Sequence, residues 1–132
     1  VRLNQPAQDS GVRLENKLAN SPAWNLAAGS AYRFGLGASG EMTLRVDWSW
    51  QDGEFHDAVN SPQIHQDAFH LFNVSLAYAP MDGPWQLTVA MRNLFDETYL
   101  VTGNSAFDTA AAYVEQVYGR PREVLAMFSY EF

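Results

Sequence analysis

Three histidines, His56, His65 and His70, fall in or beside one long connecting stretch, with Asp52, Glu54, Asp57 and Asp67 around them. Imidazole and carboxylate groups are ligands for zinc and iron, so metal chemistry would sit here if anywhere. No ligand spacing stands out, and the expectation is a solvated polar loop with no metal. Nothing else supplies reactive chemistry. No nucleophile–base pair or paired-carboxylate element occurs, and the remaining Ser and His residues have no triad context. The glycines of Gly35 to Gly40 (GLGASG) make a turn rather than a phosphate cradle. With no cysteine there is no disulfide, thiol nucleophile or thiolate metal site. The expectation is a protein with no catalytic residues and no cofactor. A formal charge of −7 argues against nucleic acid as a partner, which needs clustered Lys and Arg.

The residues that carry information are apolar, and their period is two. In the last eleven residues Val124, Ala126, Phe128, Tyr130 and Phe132 alternate with Glu123, Leu125, Met127, Ser129 and Glu131. Successive side chains of a strand point to opposite faces, so this is a strand with one apolar and one mixed face. Four earlier stretches alternate likewise. Trp24 to Phe34 sets Trp24, Leu26, Ala28, Ser30, Tyr32 and Phe34 against Asn25, Ala27, Gly29, Ala31 and Arg33. Glu41 to Gln51 sets Met42, Leu44, Val46, Trp48 and Trp50 against Glu41, Thr43, Arg45, Asp47, Ser49 and Gln51. Phe72 to Tyr78 and Trp85 to Arg92 follow the same rule. A helical period competes only over Thr109 to Val117, where a short helical turn inside a loop is expected. The fold class expected is all-β, with antiparallel up-and-down strands.

The connections alternate in length. Gly35 to Gly40 and Ala79 to Pro84 are short and rich in turn formers. About Asp52 to Leu71 and about Asp96 to Arg122 are long. Outer-membrane barrels have this rhythm, with short periplasmic turns and long extracellular loops. If Phe132 ends in the periplasm, both short turns fall there too. On that topology Tyr32, Phe34, Tyr78, Trp85, Tyr130 and Phe132 lie near the periplasmic rim, and Trp24, Trp48, Trp50 and Tyr99 near the outer rim. Leu26, Ala28, Leu44, Val46, Val74, Leu76, Leu87, Val89, Ala126 and Phe128 fill the band between. An apolar band between two aromatic girdles is what a lipid-facing surface requires. Arg33, Glu41, Arg45, Asp47 and Arg92 then face a polar interior. Such barrels need about eight strands or more, so five strands read as the C-terminal part of a longer barrel, with residues 1–21 as an extracellular loop and about five strands from 22 to 132.

Arg92 to Tyr99 (RNLFDETY), Tyr118 to Arg122 (YGRPR) and the terminal SYEF together resemble the C-terminal end of TonB-dependent outer-membrane receptors. Asn20 to Trp24 (NSPAW) is similar to that family's Pro-x-Trp start of an earlier strand. The resemblance covers about Asn20 to Phe132. It implies a barrel of about 22 strands plugged by an N-terminal domain. It also implies active uptake, in the outer membrane of a Gram-negative cell, of a scarce small-molecule ligand such as a metal chelate. Siderophore, cobalamin, haem and oligosaccharide receptors share this ending. The TonB complex would act through an N-terminal part not contained in this sequence. Asn93, Leu94, Phe95, Asp96, Tyr99, Gly119, Pro121 and Arg122 are the motif positions, expected to be structural, with Arg122 anchoring at lipopolysaccharide phosphates. Phe128, Tyr130 and Phe132 are expected to form the signal read by the barrel-assembly machinery. Tyr99, Asn104, Phe107, Asp108 and Tyr113 are the candidate ligand contacts in the last long loop. The alternatives are another outer-membrane barrel, such as a passive channel, and a soluble β-barrel that binds an apolar ligand.

Overall fold

The computed structural model describes residues 11–132; the first ten residues of the expected loop over 1–21 lie outside them. Residues 11–24 form turns and bends. Nine strands follow: β1 (Asn25–Gly35), β2 (Glu41–Gln51), β3 (Glu54–Phe55), β4 (His65–Gln66), β5 (Phe69–Ala79), β6 (Trp85–Arg92), β7 (Leu100–Ser105), β8 (Val114–Tyr118) and β9 (Glu123–Tyr130). No α-helix occurs among the described residues, and no helix there is long and apolar enough to cross a membrane. The chain divides into two compact units.

One unit is a five-stranded sheet in the order β1-β2-β5-β6-β9, so the long strands lie side by side in chain order. The sheet is open, with β1 and β9 as its edges. Register confirms the division of faces. Val74, Met91 and Val124 form one cross-strand row, Leu76, Val89 and Ala126 the next, and Tyr78, Leu87 and Phe128 a third. The other face alternates with these: Ser75, Ala90 and Leu125, then Ala77, Thr88 and Met127. The first short connection contains a single 3-10 turn, Gly37–Ser39, closed by Leu36 N–H donating to the Gly40 carbonyl at 2.8 Å.

The second unit is built from the two long connections and residues 11–25. The sequence left these as loops, but each carries a hairpin. β3 pairs with β4, and β7 with β8, both antiparallel. Residues 107–111 form turns, and Val114–Tyr118, inside the stretch expected to be a helical turn, is strand β8. Its core is small. Ile64 is fully buried, with Phe69 and Leu100 nearly so. Ile64 ends a 3-10 turn over Pro62–Ile64 and lies under Gly103 of β7, where a Cβ would come within 2.6 Å of its Cγ2. Burying one such side chain stabilises by about 1.5–3 kcal/mol. Gln66 adds a polar lock, its side-chain oxygen accepting from Leu100 N–H while its amide donates to the Asp67 carbonyl.

Candidate functional site

The motif residues converge on one clasp. Asn93, at the end of β6, is 6% exposed and sits in the left-handed region at φ 47°. Asparagine tolerates that region better than most residues, because its short side chain bonds locally. Its side-chain oxygen accepts from Glu97 N–H at 2.8 Å. Its amide donates to the carbonyls of Glu97 at 2.8 Å and Arg120 at 3.1 Å. Its own N–H donates to the Asn73 side chain at 3.0 Å. Asp96, also left-handed at φ 58°, accepts from Arg122 N–H at 2.7 Å. Leu94 N–H donates to the Phe72 carbonyl, and the exposed Phe95 ring meets Phe72 edge-on at 5.1 Å. Asn93 and Asp96 therefore join the end of β6 to the start of β9.

Tyr99 belongs to the base of the β7–β8 hairpin. Its ring stacks on Phe69 at 4.6 Å, and its carbonyl accepts from Gly119 N–H at 2.8 Å. A Cβ at position 119 would overlap the Tyr99 ring, so only glycine fits beneath it. Pro121 lies between β8 and β9, where no ladder bond is lost. The Arg122 guanidinium is exposed and has no protein partner among the described residues.

The other candidate contacts do cluster. Asn104, Phe107, Asp108 and Tyr113 lie at the turn end of the β7–β8 hairpin. Phe107 is 54% exposed, and the Asn104 amide donates to the Tyr113 hydroxyl at 3.4 Å. Tyr99 is not among them.

The three histidines are not brought together. His56 is buried; its Nδ1 lies 2.8 Å from the Asn20 side-chain oxygen, and its Nε2 has no partner. The His65 ring is tilted against that of Phe55, with centroids 4.5 Å apart, and lies 3.4 Å from Asp67. His70 belongs to β5, where Trp48 Nε1–H donates to its Nδ1 at 3.2 Å. No group of three His, Cys, Asp or Glu able to hold a metal occurs among the described residues. The stretch is more ordered than a solvated loop, since Glu54, His56, Ser61 and Gln66 are all buried.

Charges on the polar face of the sheet are largely self-paired. Arg33 lies 3.1 Å from Glu41, and Arg45 makes two 2.7 Å bonds to Asp47. Exposed pairs of this kind contribute little stability. Near the short turns that face carries a depression of about 280 Å³ lined by Arg33, Glu41, Thr43, Ala77, Ala79 and Gln86. The opposite face is apolar and uncovered: Tyr32 is 68% exposed, Phe128 64% and Tyr130 52%. Comparison with known protein families, curated proteins and solved structures gives no match for this chain.

Proposed function

We propose that this chain forms the C-terminal strands of a TonB-dependent receptor in the cell outer membrane, part of a protein that takes up a scarce small-molecule ligand. The observation that carries the reading is the exposed apolar face. Its rows run from Val74, Met91 and Val124 to Tyr78, Leu87 and Phe128, with Trp85 opposite Tyr130 at the short-turn end. Trp48 and Trp50 lie at the other end. Water-soluble proteins seldom leave so continuous an apolar surface uncovered, whereas lipid covers it without cost. Strands β1, β2 and β5, eleven residues each, have the length of a tilted membrane strand.

Two further observations support the reading. The free edges at β1 and β9 suit strands that continue pairing around a barrel, since an unpaired edge is not tolerated in lipid. The other face carries Leu125 and Met127, 40% and 60% exposed, beside small residues such as Ser75, Ala77, Thr88 and Ala90. A lumen packed against protein accommodates that surface better than a water-filled channel does, which favours a plugged receptor over a passive pore. The hairpin-tip residues Asn104, Phe107, Asp108 and Tyr113 are then the ligand contacts offered by the last extracellular loop, and Tyr99 supports them from below.

The test is to express the whole protein from its natural coding sequence and fractionate the cells. The reading expects outer-membrane recovery and the slower electrophoretic migration on boiling that folded barrels show. Recovery in the soluble fraction contradicts it.

A further inference from the structure

Residues 11–24 join the first long connection in the same compact unit, without a buried residue of their own. Leu14 and Leu18 are exposed. A row of hydrogen bonds ties this stretch down. Asn16 donates its side-chain amide to the Ala58 carbonyl at 2.8 Å. Asn60 pairs with Lys17 as a strand partner would: its carboxamide oxygen accepts from Lys17 N–H at 2.7 Å, and its amide donates to the Lys17 carbonyl at 2.9 Å. Asn20 N–H donates to the Phe55 carbonyl at 2.8 Å, and Asn20 Oδ1 accepts from His56 Nδ1 at 2.8 Å. The connection itself is better packed, with Glu54, His56 and Ser61 buried and Ile64 fully so. A carboxamide oxygen only accepts, so the His56 proton sits on Nδ1 and Nε2 presents a lone pair. That lone pair is buried with no partner among the described residues.

We propose that residues 12–20 are a releasable strap that shuts His56 away from solvent, with Asn60 as its latch. Hydrogen bonds between exposed partners exchange readily for bonds to water, so a stretch held by them opens before one held by buried apolar contacts. The closed state also carries an unmet acceptor, His56 Nε2, which water satisfies on release. Both effects favour opening of the strap alone, with Ile64 still seated under Gly103. Release turns a shut imidazole into an exposed one with a free lone pair. The strap lies within one unit and does not depend on the membrane reading above.

The experiment uses the purified whole protein. Mass spectrometry follows amide hydrogen exchange and, separately, acylation of His56 by diethyl pyrocarbonate, which needs a free imidazole lone pair. His65, whose side chain is partly exposed, is the internal reference. In the native protein residues 12–20 should exchange severalfold faster than Leu100–Ser105, and His56 should react more slowly than His65. Asn60→Gly removes the latch and suits the left-handed backbone at φ 62°. It should raise exchange over 12–20 and the His56 rate severalfold each, and leave Leu100–Ser105 unchanged. Asn16→Ala, which removes one bond, should shift both in the same direction by less, and it carries the test if Asn60→Gly fails to fold. Equal acceleration in Leu100–Ser105 would mean that the unit opens as a whole. Faster exchange over 12–20 with an unchanged His56 rate would mean that the strap does not cover the imidazole. Either result, or unchanged exchange over 12–20 in both variants, would overturn the proposal.

Discussion

The side-chain amide of Asn93 reaches the main-chain carbonyl of Arg120 at 3.1 Å, across 27 residues of chain. Together with the Asp96 bond to Arg122 N–H, this contact fixes where the last strand begins. The sequence motif around Asn93 is therefore accounted for by backbone hydrogen bonding. Replacing Asn93 with Ala removes three side-chain bonds and strains a left-handed backbone, and should cost about 1–3 kcal/mol. Asn93→Asp keeps the acceptor for Glu97 N–H and should cost less than Ala. Denaturant titration of the whole protein in lipid vesicles checks the order, and an Ala variant as stable as native would show that the clasp is incidental.

Gly119 and Tyr99 should behave as one unit. Gly119→Ala forces a methyl into the Tyr99 ring and should destabilise by about 1–3 kcal/mol, the usual cost of overpacking. In a Tyr99→Ala background the same change should cost much less, because the ring is gone. The coupling is read from a double-mutant cycle of unfolding free energies. Strict additivity would mean that the ring and the glycine do not meet.

The assignment of faces predicts an asymmetry between neighbours. If the proposed membrane barrel is right, Leu44→Arg, on the apolar face of β2, should cost about 2–4 kcal/mol in the whole protein. Thr43→Arg, on the opposite face, should cost much less. Equal costs in vesicle unfolding experiments would count against the division into lipid and lumen surfaces.

Phe132 is fully exposed, and its ring lies 5.2 Å from that of Tyr130. Its contribution to the finished fold is accordingly small. On the proposed receptor reading, deleting it should lower the amount of protein assembled in the outer membrane while leaving the unfolding midpoint of the assembled fraction nearly unchanged. A large drop in midpoint with normal yield would make Phe132 a packing residue rather than an assembly signal.

The five long strands were legible because their apolar residues repeat without interruption, as in Met42, Leu44, Val46, Trp48 and Trp50. Strand ends shifted where the period ran on unnoticed. β5 starts at Phe69 rather than Phe72, and His70, grouped by composition with the loop histidines, has the parity of Phe72 and Val74. The hairpins inside the long connections were not legible. β3 and β4 are two residues each, too short for any period to register. In β7 the register shift between Leu100 and Thr102 breaks the alternation, and β8 is only five residues long. What holds these hairpins is long-range, namely Ile64 beneath Gly103 and Gln66 bonded to Leu100. The grouping of the last long loop was legible only in part. Composition found the exposed hairpin tip but did not separate it from Tyr99, whose neighbours Phe69 and Gly119 are distant in sequence.

The central claim is tested most directly by topology. Single cysteines at Ser105→Cys, in the long connection between β6 and β9, and Ser39→Cys, in the short turn between β1 and β2, would be introduced into the whole protein. A membrane-impermeant thiol reagent would then be applied to intact cells. The account predicts labelling at 105 and none at 39 until the outer membrane is breached. Labelling at 39 alone would invert the topology. Protection of both sites, with the protein recovered in the soluble fraction, would mean that the apolar faces form an internal core and that the receptor reading is wrong.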